Sequence, residues 1–243
     1  MVRIGPHPIL WHIMQHYTRY GYADFVIALG YKGDVIKRYF VDRTELSGDL
    51  MVDMTAGTVT RARGDRPNWR VALAETGLET NTGGRIKRLA PYVGDGRFML
   101  TWGDGLADVD LDALLAFHKS HGKLATLTAV RPPARFGLLE LDGSQVTRFI
   151  EKPANGSGWI NGAFFVLEPE VFDYIEGDAT QFEHEPLENL ARDGQLMAYH
   201  HEGFWQCMDT QHDKQLLEAI WRTGRAPWAK RERGEHASLS HRA

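Results

Sequence analysis

Apolar residues fall into two alternating patterns along the 243 positions. Ile9, Leu10, Ile13, Met14 and Tyr17 recur at helical spacing, with Pro8 at the entry and Gly21 past the exit, and predict a first helix. Phe25 to Leu29 is a short continuous apolar run that stops at a glycine loop, the pattern of a buried strand. A second helix follows, with Asp34 placed to cap it. The segment "WRVALAET" reads as a strand, and "TGGRIKRLAPYV" as a loop leading into a short helix. Phe98 to Trp102 is the next strand, Leu111 to His121 a helix, and "LATLTAV" a buried strand. "FGLLELDGSQVTRFIEKP" predicts a hairpin turning at Asp142-Gly143. After it come a strand ("INGAFFVLEP"), a helix ("EVFDYI"), a helix closed by Gly194, a strand ("LMAYHH") and a last helix ("TQHDKQLLEAIWRTG").

Strands alternating with helices predict an α/β fold, Rossmann-like, with a mixed, mostly parallel sheet flanked by helices. No repeat or low-complexity linker interrupts the pattern, so one domain is expected over residues 1–228, followed by a polar tail over 229–243 that frays. In such sheets ligands gather at the carboxyl ends of the strands.

Composition narrows the partners. A net charge of −4 argues against a nucleic-acid polyanion. No apolar run reaches the ~20 residues of a membrane span, so no membrane partner is expected. One cysteine, Cys207, excludes an internal disulfide and fits a reducing cytoplasm.

Five places carry candidate chemistry. Asp104 sits between Gly103 and Gly105 at the end of a predicted strand. It has two readings: a turn aspartate bonding its own backbone, or a ligand for a hard cation such as Mg²⁺. The turn Thr82-Gly83-Gly84-Arg85 offers backbone N–H groups to an anion or a base edge. Glu151 and Lys152 follow a strand, where a lysine can neutralise phosphate and a carboxylate can take sugar hydroxyls. Asn161 and Gly162 interrupt an apolar strand, and a buried amide there needs partners. Asp209 precedes a helix, as its cap or as a second metal carboxylate. His118 and His121 have the spacing of a zinc pair, but no matching cluster completes a site. No nucleophile elbow is present.

In order and approximate spacing, "TGGRIKR", "GDGLAD", "FIEKP", "INGAFFVL", "FWQCMDT" and the closing "GRAPW" resemble the sugar-1-phosphate nucleotidyltransferases, and within them the glucose-1-phosphate cytidylyltransferases. The resemblance spans Met1 to about Trp228 and implies a fold of the nucleotide-diphospho-sugar transferase type. It implies condensation of CTP with α-D-glucose 1-phosphate to CDP-glucose and pyrophosphate, feeding dideoxyhexose and O-antigen biosynthesis. It implies a cytoplasmic homo-oligomer. By position, Asp104 and Asp209 would hold Mg²⁺ and, with Lys152, serve catalysis. Thr82, Gly83, Gly84, Arg85 and Gly103 would face the nucleotide, and Glu151, Asn161 and Gly162 the sugar.

The family also begins with a strand and a glycine-rich phosphate loop, and Met1 aligns just after them. The nucleotidyltransferase domain is therefore expected to be N-terminally incomplete in this chain. Other readings are a non-catalytic homologue that binds a nucleotide or sugar phosphate, a poorly folding remnant, or a uridylyl or thymidylyl transferase.

Overall fold

The computed structural model of the chain describes residues 1–61, 64, 67–132, 138–142, 144–150 and 158–229. In chain order its elements are β1 (Arg3–Ile4), β2 (His7–Pro8), α1 (Ile9–Arg19), β3 (Asp24–Leu29), α2 (Gly33–Glu45), β4 (Leu50–Asp53), β5 (Thr58–Arg61), β6 (Arg70–Glu75), α3 (Thr82–Arg88), α4 (Ala90–Val93), β7 (Phe98–Thr101), β8 (Gly105–Ala107) and α5 (Leu111–His121). Then come β9 (Ala125–Val130), β10 (Leu138–Asp142), β11 (Gln145–Ile150), β12 (Ile160–Leu167), a 3₁₀ turn (Pro169–Tyr174), α6 (Glu185–Arg192), β13 (Leu196–His201), β14 (Trp205–Cys207), α7 (Gln211–Arg222) and a 3₁₀ turn (Pro227–Ala229). They form two compact units, one of residues 22–97 and 168–193, the other of residues 2–21, 98–167 and 194 onward. The unbroken sequence pattern predicts one domain because each unit is assembled from discontinuous segments. No linker composition marks where one stops.

The second unit is built on a four-stranded sheet of order β13-β9-β12-β7. β13 runs parallel to β9, while β12 is antiparallel to both β9 and β7. β9 is covered on both faces: Ala125, Thr126 and Thr128 are each 0% exposed. A buried hydroxyl needs a partner. Thr126 Oγ1 lies 2.8 Å from His118 Nδ1 and 2.8 Å from His121 Nε2. With a single proton to give, the hydroxyl donates to one ring and accepts from the other. The helical His pair thus secures the buried strand β9. α1 buries Ile9, Ile13, Met14 and Tyr17 as its spacing predicts, and also His12 and His16. One nitrogen of each imidazole meets a main-chain oxygen, His12 Nε2 at 2.9 Å from Ile4 O and His16 Nε2 at 2.9 Å from Val109 O.

In the first unit β3 and β6 pair in parallel, from Asp24 opposite Arg70 to Leu29 opposite Glu75. α2 departs from expectation at its start. Its N-cap is Lys32 in a left-handed conformation (φ 58°), and Asp34 lies inside the first turn, where its charge still meets the helix dipole. The "EVFDYI" segment forms 3₁₀ and not α turns, in keeping with a run too short to nucleate an α-helix. The β4–β5 hairpin was not legible in sequence. Its residues are all exposed, so no buried face imposed an alternation. The expected β10–β11 hairpin is present, with Gly143 outside the described residues. Among the described residues no helix is long and apolar enough to cross a membrane.

Candidate functional site

β7 carries the chain to the edge of the second unit's sheet. Trp102 then tilts over Phe165 at 5.3 Å between centroids. Gly103 follows, and a Cβ added to it would meet nothing within 4 Å, so its side of the backbone is open. After Asp104 the chain enters β8, which pairs antiparallel with β14, Gly105 opposite Cys207. One further bond, Met208 N–H to Asp104 O at 2.8 Å, ties the two connections together past the end of the ladder. Asp104 and Asp209 are thereby brought to the same end of one strand pair. The Asp104 carboxyl is raised above its ordinary range, first by partial burial and then by the negative charge of Asp209; a hydrogen bond from its own backbone opposes the shift. A carboxylate has about four lone-pair directions, so an interaction with its own backbone N–H still leaves room for a cation.

The capping reading of Asp209 is corrected. Thr210 is the N-cap of α7: its hydroxyl accepts from Asp213 N–H at 3.2 Å, and the Asp213 carboxylate accepts from Thr210 N–H at 2.9 Å. Asp209, one residue earlier, keeps its carboxylate out of the cap. Cys207 Sγ–H donates to it at 3.2 Å. The other end of the β8–β14 pair is closed by Asp108, whose Oδ1 accepts from Phe204 N–H at 2.7 Å and lies 3.0 Å from His201 Nε2. Gly203 makes this closure possible, since a Cβ there would fall 2.5 Å from Asp108 Oδ1. Asp108, Gln206 and Asp213 were missed in the sequence. The Thr210-x-x-Asp213 spacing of a capping box was the one available signal.

Asn161 and Gly162 lie at a break in the β12–β9 register. Asn161 Oδ1 accepts from Ala163 N–H at 2.8 Å, so the fold itself supplies a partner for the amide. Ala163 is held at φ 60°, a conformation costly for a residue with a Cβ. The Gly162 carbonyl is taken by Trp205 Nε1–H at 2.9 Å, and that of Ala163 by Trp102 N–H at 3.3 Å. The bulge is thus tied to both strands that lead to the aspartates. A non-glycine residue in this conformation is the kind of local strain found at functional sites.

Thr82, Gly83, Gly84 and Arg85 belong to the first unit. There they start α3 and are not a loop before it. The expected free donors at Gly83 and Gly84 are occupied: both N–H groups point at Thr180 O, at 2.9 and 3.3 Å. Thr82 Oγ1 donates to Glu183 at 2.6 Å and accepts from Phe182 N–H at 2.9 Å. Arg85 donates to Thr76 Oγ1 at 2.7 Å and to the carbonyls of Leu29 and Leu78, each at 3.2 Å. The glycines are needed for close approach, since a Cβ on Gly84 would fall 2.5 Å from Asp178 Cα. Gly84→Ala is expected to cost about 2 kcal/mol by this crowding. A denaturant midpoint equal to wild type would show that the 178–180 segment yields. Glu151 and Lys152 lie outside the described residues.

Among the described residues no group of three or more His, Cys, Asp or Glu is placed to hold a metal ion. Two carboxylates suit Mg²⁺, which fills its shell with phosphate and water oxygens, and do not suit zinc, which asks for three or four protein ligands. A surface hollow of about 520 Å³ on the β3–β6 pair, lined by Asp24, Arg70 and Tyr92 among others, contains neither aspartate of the pair.

Comparison with known proteins gives the family. Residues 1–222 match the nucleotidyl transferase family model. The chain is 50% identical over 229 residues to a glucose-1-phosphate cytidylyltransferase of Salmonella typhi, covering 94% of this chain and 89% of that protein. It is 42% identical over 229 residues to a probable glucose-1-phosphate cytidylyltransferase of Bacillus subtilis, with the same coverage. Among solved structures, HddC from Yersinia pseudotuberculosis superposes with a TM-score of 0.66 at 21% identity, over 91% of this chain and 88% of that one. A UDP-glucose pyrophosphorylase complexed with UDP-glucose gives 0.62 at 12% identity, over 93% and 90%. At those identities the two structures establish the nucleotide-diphospho-sugar transferase fold and nothing finer. A family match over residues 1–222 and half identity across 94% of the chain have one reading: this chain belongs to the nucleotidyl transferase family.

Proposed function

We propose that this chain transfers a cytidylyl group from CTP to α-D-glucose 1-phosphate, giving CDP-glucose and pyrophosphate, with Mg²⁺ held by Asp104 and Asp209. The observation that carries the reading is the convergence of those two carboxylates past the β8–β14 ladder, in a chain half identical to a named glucose-1-phosphate cytidylyltransferase. The sugar-phosphate oxygen attacks the α-phosphorus in line, the bond to the β-phosphate oxygen breaks, and pyrophosphate leaves. No side-chain nucleophile is needed. The protein's task is to hold two polyanions in line and to neutralise them. When bound, the divalent cation supplies that neutralisation at the phosphates. Asn161 and Gly162 are assigned to the sugar and Lys152 to its phosphate. Thr82, Gly83, Gly84, Arg85 and Gly103 are assigned to the nucleotide on the resemblance, the two α3 glycines by their small size and not as donors, since Thr180 O takes their N–H groups. The protein is read as a cytoplasmic homo-oligomer whose product enters dideoxyhexose synthesis.

The test is pyrophosphate release with CTP, UTP or dTTP, glucose 1-phosphate and Mg²⁺. Turnover with CTP well above the others supports the reading. A preference for UTP or dTTP replaces it with a uridylyl or thymidylyl transferase. Binding of glucose 1-phosphate without turnover by a well-folded chain replaces it with a non-catalytic homologue. Thr82→Val, compared by nucleotide competition, tests the nucleotide assignment separately, and sedimentation velocity tests the oligomer.

A further inference from the structure

The loop that carries Asp209 is organised around a second, buried carboxylate, that of Asp213. Asp213 is 6% exposed, in the first turn of α7. Its Oδ2 accepts from Thr210 N–H at 2.9 Å, from Thr210 Oγ1 at 2.8 Å, and from Asp209 N–H at 3.2 Å. Its Oδ1 accepts from Gln206 Nε2 at 3.1 Å. Gln206 is itself 5% exposed, and the same Nε2 donates to Cys207 O at 2.8 Å.

A capping box explains only part of this pattern. It asks that the residue at the third helical position reach back to the N–H of the cap, here Thr210. The bond to Asp209 N–H lies one residue further out and adds nothing to the helix. The bond to Gln206 reaches into β14, which the helix also does not require. Together the four bonds span residues 206 to 210, the whole connection from strand to helix. Met208 N–H, in the middle of that connection, is the group that binds Asp104 O. Fixing this backbone therefore fixes the position of Asp209 relative to Asp104. A buried carboxylate costs desolvation, and four hydrogen bonds together with the helix N-terminus offset it.

We propose that Asp213, supported by Gln206, is a positioning residue: its buried carboxylate clamps the 206–210 connection and so aims Asp209 at the cation it shares with Asp104. This rests on the reading of Asp104 and Asp209 as the metal pair. Hydrogen-bonding partners around metal ligands commonly set affinity by about 10–100-fold. A mere helix cap would set stability alone.

Mn²⁺ binding to the full chain, followed by loss of the free-ion EPR signal, separates the two roles. It is combined with the Mg²⁺ dependence of pyrophosphate release and with thermal unfolding. Asp213→Asn keeps the size of the side chain and removes one acceptor oxygen. It is expected to weaken Mn²⁺ binding about tenfold and to raise the half-saturating Mg²⁺ concentration by a similar factor. KM for glucose 1-phosphate at saturating Mg²⁺ should stay near wild type. If Asp213→Asn folds and melts lower but binds Mn²⁺ as wild type does, Asp213 is only a cap and the proposal falls. If Asp213→Asn does not fold, Gln206→Met decides, because it slackens the other oxygen and leaves the cap in place. Weaker Mn²⁺ binding in that variant supports the clamp, and unchanged binding overturns it. Asp209→Asn is the control for the underlying reading. Should it bind Mn²⁺ like wild type, the metal pair itself is wrong, a failure distinct from loss of the clamp alone.

Discussion

Asp104→Ala and Asp209→Ala, made singly, are each expected to lower pyrophosphate release from CTP and glucose 1-phosphate by at least about 100-fold. The scale is that of removing one electrostatic group aimed at developing charge in a preorganised site. The two carboxylates already act on each other, since the charge of Asp209 contributes to the raised Asp104 carboxyl. Placing like charges together disfavours the apo protein and favours a divalent cation. Either substitution removes that repulsion, and neither residue belongs to the buried core. The thermal midpoint is therefore expected to move by no more than about 2–4 °C, the shift of roughly 1 kcal/mol in a chain of this size. Activity and stability should separate. Near-normal rates in either variant would remove the metal assignment. A large drop in melting temperature would mean that the residue supports the fold and that its effect on rate says little about cations.

The second large effect is on stability in acid. His16, 3% exposed, has its pKa pushed down to about 4, first by burial and also by the charge of Arg19; the carbonyl of Val109 and the carboxylate of Asp108 oppose the shift. Nε2 lies on Val109 O, so the proton sits there in the neutral ring, and the buried Nδ1 has no hydrogen-bond partner. Protonation would place charge on a nitrogen with nothing to accept it. The native state therefore stays neutral while the unfolded chain, with a pKa near 6.5, takes up a proton. Stability is fully present above pH 6.5, falls as the pH drops below that value, and stops falling near pH 4. Integrating over the window gives a loss of about 2 kcal/mol by pH 5 and about 3 kcal/mol by pH 4. His12, whose pKa is also lowered by burial first, adds to the loss in the same sense. Urea midpoints at about pH 7.5 and pH 5 measure it. His16→Gln should start less stable but show a shallower dependence on pH, and an equal slope in the two proteins would show that His16 is not the source.

The lengths and types of most elements were legible because burial leaves a periodic mark. Leu111–His121 ends where its pattern ends, with Asp110 as cap and Gly122 at the exit. β9 and the second half of β12, Phe164–Leu167, read as apolar runs without alternation because both their faces are covered. The two-residue and three-residue strands β1, β2, β8 and β14 were not legible, being too short to show a period. β8 and β14 nevertheless bring the aspartates together. The order of short motifs along the chain indicated Asp104 and Asp209, but two local readings were wrong for physical reasons. Thr210 and not Asp209 caps α7, and the Gly83 and Gly84 donors are occupied by Thr180 O. In both, the deciding partner, Asp213 or Thr180, lies outside the motif that was read.

What the sequence determined by itself is therefore the one-dimensional part: the α/β alternation and the core faces of the helices, which follow from local propensity and apolar periodicity. Asp104 and Asp209 were singled out by the order of motifs that resembles a known family, since each residue taken alone has a turn or cap reading as well. The pairing of β8 with β14, the clamp of Asp213 on the Asp209 connection and the depressed pKa of His16 were decided only by the tertiary structure. Each depends on which groups distant in the chain meet in a site withdrawn from water, where an unmet hydrogen bond or an unpaired charge is expensive. A sequence read one segment at a time carries no record of those meetings.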